Sequence, residues 1–144
     1  MPHPGEAVAP EPKQQQQVHS YRDLAVWQKA VELAVACYRV TQGFPKHETY
    51  GLSAQLQRAA VSVSANIAEG RSRKYTREFL HHLSIAYGSL AELETHLEIA
   101  RRLGYLQNEQ AGPLLDACTA VGRMINGLHN SIEKRAAARQ PSPP

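Results

Sequence analysis

From Phe79 to Ala100 the apolar residues of this chain recur at alternating steps of four and three: Phe79, Leu83, Ala86, Leu90, Leu93, Leu97 and Ala100. That spacing puts all seven on one face of an α-helix. A leucine-rich stripe of this length needs a facing partner, since it gains nothing by staying in water. Thr76 is the expected cap at its start and Gly104 at its end. A helix over 77–103 would be roughly 40 Å long at 1.5 Å per residue.

Three other segments carry the same period. In 22–42, Leu24, Trp27, Val31, Ala34 and Tyr38 form one row, and Val26, Ala30, Leu33, Cys37 and Val40 form a second beside it. Ser20 is the expected N-cap, and Gly43-Phe44-Pro45 ends the segment. The first row is expected to face the bundle. Val26, Leu33, Cys37 and Val40 are then surplus apolar surface and the expected oligomer interface. In 52–69 the core row is Leu56, Ala60, Val63 and Ile67, with Gly70 as terminator. In 109–135 it is Leu114, Cys118, Val121, Ile125, Leu128 and Ile132, capped by Asn108, with Pro113 in the tolerant early turns.

No segment alternates as a strand does. The prediction is an all-α fold, an antiparallel up-down-up-down four-helix bundle over 20–135 with short loops. Residues 1–19 are rich in Pro and Gln, and 136–144 end in a Pro-rich stretch. Both are expected to be disordered tails, since neither has enough apolar surface to offset ordering entropy.

The 144 residues, 42% of them hydrophobic, suffice for one modest core. No apolar run approaches the length of a membrane span, and the N-terminus lacks the apolar stretch of a secretory signal, so a cytoplasmic location is expected. Two cysteines, Cys37 and Cys118, are too few for a disulfide framework or an all-cysteine zinc site, and are expected to be reduced packing groups.

The net charge of +3 permits an anionic partner without demanding one. Its distribution says more. Short loops bring together the start of helix one, the loop between helices two and three, and the end of helix four. That loop contains Arg71, Arg73, Lys74 and Arg77, with Tyr75 among them, and Arg22, Lys134, Arg135 and Arg139 join it. Eight of sixteen basic residues thus gather at one end, against Asp23, Glu69, Glu78 and Glu133. The N-terminus of helix three opens there too, and free N–H groups favour anions. This is the expected nucleic-acid surface: Arg71, Arg73, Lys74 and Arg77, with Tyr75 stacking on an unpaired base and Lys134 and Arg135 in support. The plainer alternative is a solvated, solubilising charge cluster.

Signals for catalysis are sparse. Glu78 and His81 have the Glu-x-x-His spacing of di-iron bundles, but no second copy exists and Phe79 rather than Glu78 lies on the core row. Glu92 with His96, and His129 with Glu133, read as pairs one turn apart. No phosphate loop, nucleophile elbow or catalytic triad is recognisable, so no enzyme, metal or cofactor is expected. Two polar features need an account. Asn66 and Glu69 precede Gly70, and Ser84, Gly88, Ala91 and Thr95 form a row of small residues on helix three. Gly88 costs about 1 kcal/mol of helix propensity. The expected offset is close packing of helix two on helix three, with Asn66 and Ser89 bonding across it.

Several strings together resemble a known family. They are Tyr21-Arg22-Asp23-Leu24, Trp27-Gln28-Lys29-Ala30, Phe44-Pro45, Tyr50-Gly51-Leu52, and Gln55 with Arg58-Ala59-Ala60-Val61-Ser62. Asn66-Ile67-Ala68-Glu69-Gly70, Glu78-Phe79, Leu83 with Ile85-Ala86, and Gly88-Ser89 with Glu92-Leu93-Glu94 complete the set. Over roughly 20–134 they resemble the bacterial four-helix 23S rRNA intervening-sequence proteins. The resemblance implies a ring-shaped homopentamer without catalytic activity, related to the accessory protein of diversity-generating retroelements, a pentamer thought to bind nucleic acid and a reverse transcriptase. The expected function is therefore non-enzymatic RNA binding through the basic end. The competing expectation is a scaffold that recruits a partner protein.

Overall fold

The computed structural model describes residues 20–139. A 3-10 turn (Tyr21–Asp23) leads into α1 (Ala25–Thr41), a second short turn (Lys46–Glu48) precedes α2 (Leu52–Ser72), and α3 (Thr76–Arg102) and α4 (Asn108–Arg139) follow. Helix α1 packs on α2 and α4, and α3 packs on the same two, so α1 and α3 are diagonal, as are α2 and α4. The all-α bundle is as expected, and no strand occurs among the described residues. The tail 1–19 lies outside the described residues. Of 136–144, expected as a tail, 136–139 continue α4, since alanine and arginine are good helix formers and the prolines come later.

Leu56, Val63, Ile67, Leu83, Leu93, Leu97, Val121 and Ile125 are almost fully enclosed between the four helices. Helix α1 corrects the sequence reading. Its inward residues are Val26, Ala30, Leu33, Ala34, Cys37 and Thr41, while Tyr38 is 44% exposed. Val26, Leu33 and Cys37 are therefore core of the single subunit and Val40 packs half-buried against it, so this row is no oligomer interface. Both rows had helical period; the geometry that decides is the arc between α2 and α4, which smaller side chains fill. Trp27 and Tyr38 stay at its margins, where an aromatic keeps its polar tip wet.

The ends also differ from expectation. Ser20 caps the 3-10 turn, accepting from Arg22 N at 3.0 Å, rather than α1 itself. Helix α3 begins at Thr76 with Tyr75 at the cap position and no side-chain cap bond. Gly104 does terminate α3: its φ of +78° is the only left-handed backbone among the described residues. Tyr105 N and Gly104 N return to Ala100 O and Arg101 O, closing the helix end. Gly70 does not terminate α2, which runs on to Ser72.

Candidate nucleic-acid interface

Gly70 is buried inside α2, against residues of α3. A Cβ there would lie 2.7 Å from His82 Cβ, 3.0 Å from Phe79 Cδ1 and 3.3 Å from Phe79 O. The glycine is needed for close approach of two helices. Gly88 is the reverse: it is exposed and nothing lies within 4 Å of its would-be Cβ. The small row Ser84, Gly88, Ala91 and Thr95 faces outward, so the expected packing role falls to Gly70 instead.

Close approach lets polar side chains join across the seam. Asn66 Nδ2 donates to Ser62 O at 2.9 Å and to Ser62 Oγ at 3.0 Å, and Ser62 Oγ is 2.7 Å from Ser89 Oγ. Asn66 and Ser89 are thus linked through Ser62 rather than directly. Asn66 Oδ1 lies 3.0 Å from His82 Nδ1, and His82 Nε2 lies 3.9 Å from Glu69 Oε1. That same Glu69 oxygen accepts from Arg73 Nη2 at 2.6 Å, and Arg73 Nε is 3.9 Å from Glu78 Oε2. Ser62 and His82 were absent from the sequence-derived set. Their signal was register: Ser62 precedes Asn66 by one turn, and His82 precedes Ser89 by two.

The seam ends at a tip shorter than expected. Arg71 and Ser72 are helical, Ser72 Oγ donating to Ala68 O at 2.9 Å, which leaves Arg73, Lys74 and Tyr75 as the connection. Arg73 is paired with Glu69 and Glu78. Lys74 Nζ sits 5.7 Å from the centroid of the Tyr75 ring, and Tyr75 is 60% exposed. Among the described residues no carboxylate pairs with Lys74 or Arg77. Just before α1 the Arg22 guanidinium lies over Tyr21 and Trp27, at 5.6 and 5.7 Å. Lys134 and Arg135 are exposed near the end of α4.

The topology that groups these residues is visible at the opposite end, where Phe44 and Tyr105 pack at 5.5 Å between centroids. The α1–α2 and α3–α4 connections therefore share that end, and the α2–α3 tip lies at the other. Glu98 there grips both Arg101, at 2.6 Å, and Arg102, at 3.0 Å. Hydrogen bonds from those two arginines hold its carboxyl down at about 2.

Among the described residues no three His, Cys, Asp or Glu side chains converge as a metal site requires. Burial pushes the thiols of Cys37 and Cys118 up to about 12, which leaves them protonated and unreactive. His129 pairs with Glu133 at 2.8 Å and His96 lies 3.4 Å from Glu92, although His96 is buried rather than on the surface. No described helix is long and apolar enough to cross a membrane.

No curated protein matches this chain. A solved structure is similar: a protein of unknown function from the S23 ribosomal protein family of Bacteroides thetaiotaomicron VPI-5482, at 25% identity and a TM-score of 0.66, covering 72% of this chain and 97% of its own. The model of the 23S rRNA-intervening sequence protein family matches residues 22–127. That match spans most of the bundle, and the chain belongs to this family.

Proposed function

We propose that this protein is a non-enzymatic, cytoplasmic, oligomeric helical bundle that binds structured RNA through its basic end. The observation that carries the reading is the tip between α2 and α3. There Lys74 and Arg77 have no carboxylate partner among the described residues, beside an aromatic ring that is 60% exposed. Such cations gain more from phosphate than cations already neutralised, and an exposed ring adds stacking to an unpaired base. Arg71, Lys134 and Arg135 extend the surface, while Arg73 contributes less because Glu69 and Glu78 hold it. The family name points in the same direction.

Assembly is proposed from the resemblance to ring-forming pentamers. With the inner row of α1 buried, the apolar surface that supports it is elsewhere. The half-buried Ala36, Ala117 and Met124 rim a groove of about 420 Å³ between α1 and α4, whose floor is the core residues Leu33, Leu114 and Val121. Sedimentation equilibrium should return a multiple of 15.9 kDa; a monomer mass would refute assembly. Retention of a fluorescent RNA on the purified protein, falling steeply with added salt, is the expected result for binding. Co-purification of a partner protein, such as the reverse transcriptase the resemblance implies, with no RNA retention at low salt, would favour the scaffold reading.

A further inference from the structure

One carboxylate oxygen, Glu69 Oε1, faces two bases: the Arg73 guanidinium at 2.6 Å and the His82 imidazole at 3.9 Å. The His82 ring is fixed at its other nitrogen. Asn66 Nδ2 is committed to Ser62 O, a pure acceptor, so Asn66 Oδ1 must point at His82 and accept from Nδ1. In the neutral ring Nε2 therefore carries the lone pair and turns it toward a carboxylate, which gives no bond. Adding a proton at Nε2 converts that contact into an ion pair without moving any atom. The His82 side chain is only 14% exposed, while Glu69 and Arg73 are about half exposed, so the exchange takes place at a partly screened surface carboxylate.

We propose that His82 competes with Arg73 for Glu69, so that protonation of His82 in acid loosens Arg73 from Glu69, leaving it the longer 3.9 Å contact with Glu78, and raises the affinity of the α2–α3 tip for RNA phosphates. This rests on the RNA-binding reading above. At the tip, Arg71, Arg73, Lys74 and Arg77 oppose Glu69 and Glu78, an excess of two positive charges that becomes three once His82 is charged. The other charged and titratable groups around His82 are few. His81 of α3 lies beside it, with ring centroids 5.9 Å apart. Asp23 and Arg22 belong to the 3-10 turn that packs on α2. On α4, which packs on α3, His129 and Glu133 pair with each other at 2.8 Å.

The test uses the full chain and a fluorescent oligouridylate, at about pH 8 and about pH 5.5, the range in which histidine titrates. The parent is expected to tighten about threefold more on acidification than His82→Gln, the scale of one partly exposed ion pair. Its salt slope should steepen by about 0.7, one added phosphate contact on a single strand. Glu69→Gln should bind at high pH as tightly as the parent does in acid. Equal acid responses in parent and His82→Gln would overturn the proposal, and His82→Phe repeats the comparison if the glutamine loosens the hairpin. The partner exchange is also read without RNA. The Arg73 Nη2–H nuclear magnetic resonance signal should move in acid toward its position in Glu69→Gln, and an unmoved signal overturns the switch. A moving signal with no oligouridylate bound at either pH would leave the switch standing and sink the RNA-binding reading instead.

Discussion

The two ends of the bundle arrange their charges differently. At the end holding Phe44 and Tyr105, the cations Arg101 and Arg102 are gripped by Glu98, and two aromatic rings close the loops. At the other end Lys74 and Arg77 have no such partner among the described residues. The loop is short and polar there, and a hydrogen-bonded seam joins α2 to α3 beside the Tyr21–Trp27 ring pair, 5.2 Å between centroids. The first end ties two arginines to one carboxylate and, among the described residues, leaves Lys46 without one, whereas the tip sets Lys74 and Arg77 beside an exposed ring. Net charge alone, +3 over the chain, cannot express this difference.

The comparison can be broken by perturbing each end in turn. Phe44→Ala removes a ring that is 6% exposed. It should cost about 3–5 kcal/mol in urea unfolding, and leave the RNA affinity of the folded fraction unchanged. Gly70→Ala forces a methyl against His82 and Phe79, where backbone cannot yield cheaply. About 1–3 kcal/mol of destabilisation is expected, with altered RNA affinity because the seam supports the tip. Gly88→Ala should stabilise by about 0.5–1 kcal/mol in the same assay, since the methyl meets nothing and helix propensity improves.

Glu98→Gln should change stability least of all, because its ion pairs are exposed at the surface. Its informative effect is on binding. Freed Arg101 and Arg102 should create a second, weaker RNA-retaining surface, seen as a steeper salt dependence. Acid offers a parallel route. A carboxyl depressed from 4.5 to about 2 lends its stabilisation fully above 4.5 and loses it as pH falls toward 2. Glu98 should therefore stay ionised at both pH values of the RNA-binding test.

How much of this was legible depended on whether one dominant signal existed. The α3 stripe had a single periodic solution, and Leu83, Ala86, Leu90, Leu93, Leu97 and Ala100 are buried as read, with Phe79 half-buried. Helix α1 had two adjacent rows of equal period, and only packing between α2 and α4 chose Val26, Leu33 and Cys37 for the interior. Gly70 carries the local signature of a helix stop. Its actual requirement comes from residues of another helix, which no local rule contains. The basic cluster was visible as composition, and Glu69 with Arg73 has the spacing of a one-turn ion pair. What could not be read was that His82 meets the same carboxylate, since that depends on the register between α2 and α3.

The most direct measurement is the affinity for a fluorescent RNA, over a salt series, of a variant with Arg71, Arg73, Lys74 and Arg77 all changed to Gln. Arg73 and Lys74 lie in the connection and Arg71 and Arg77 at the adjoining helix ends, all outside the core, so circular dichroism and sedimentation should match the parent. Loss of three to four phosphate contacts should flatten the slope of log K against log salt by about 2–3 and weaken binding most at low salt. An affinity at low salt equal to that of the parent would contradict the account, leaving the basic tip as solvated surface and the protein as a scaffold.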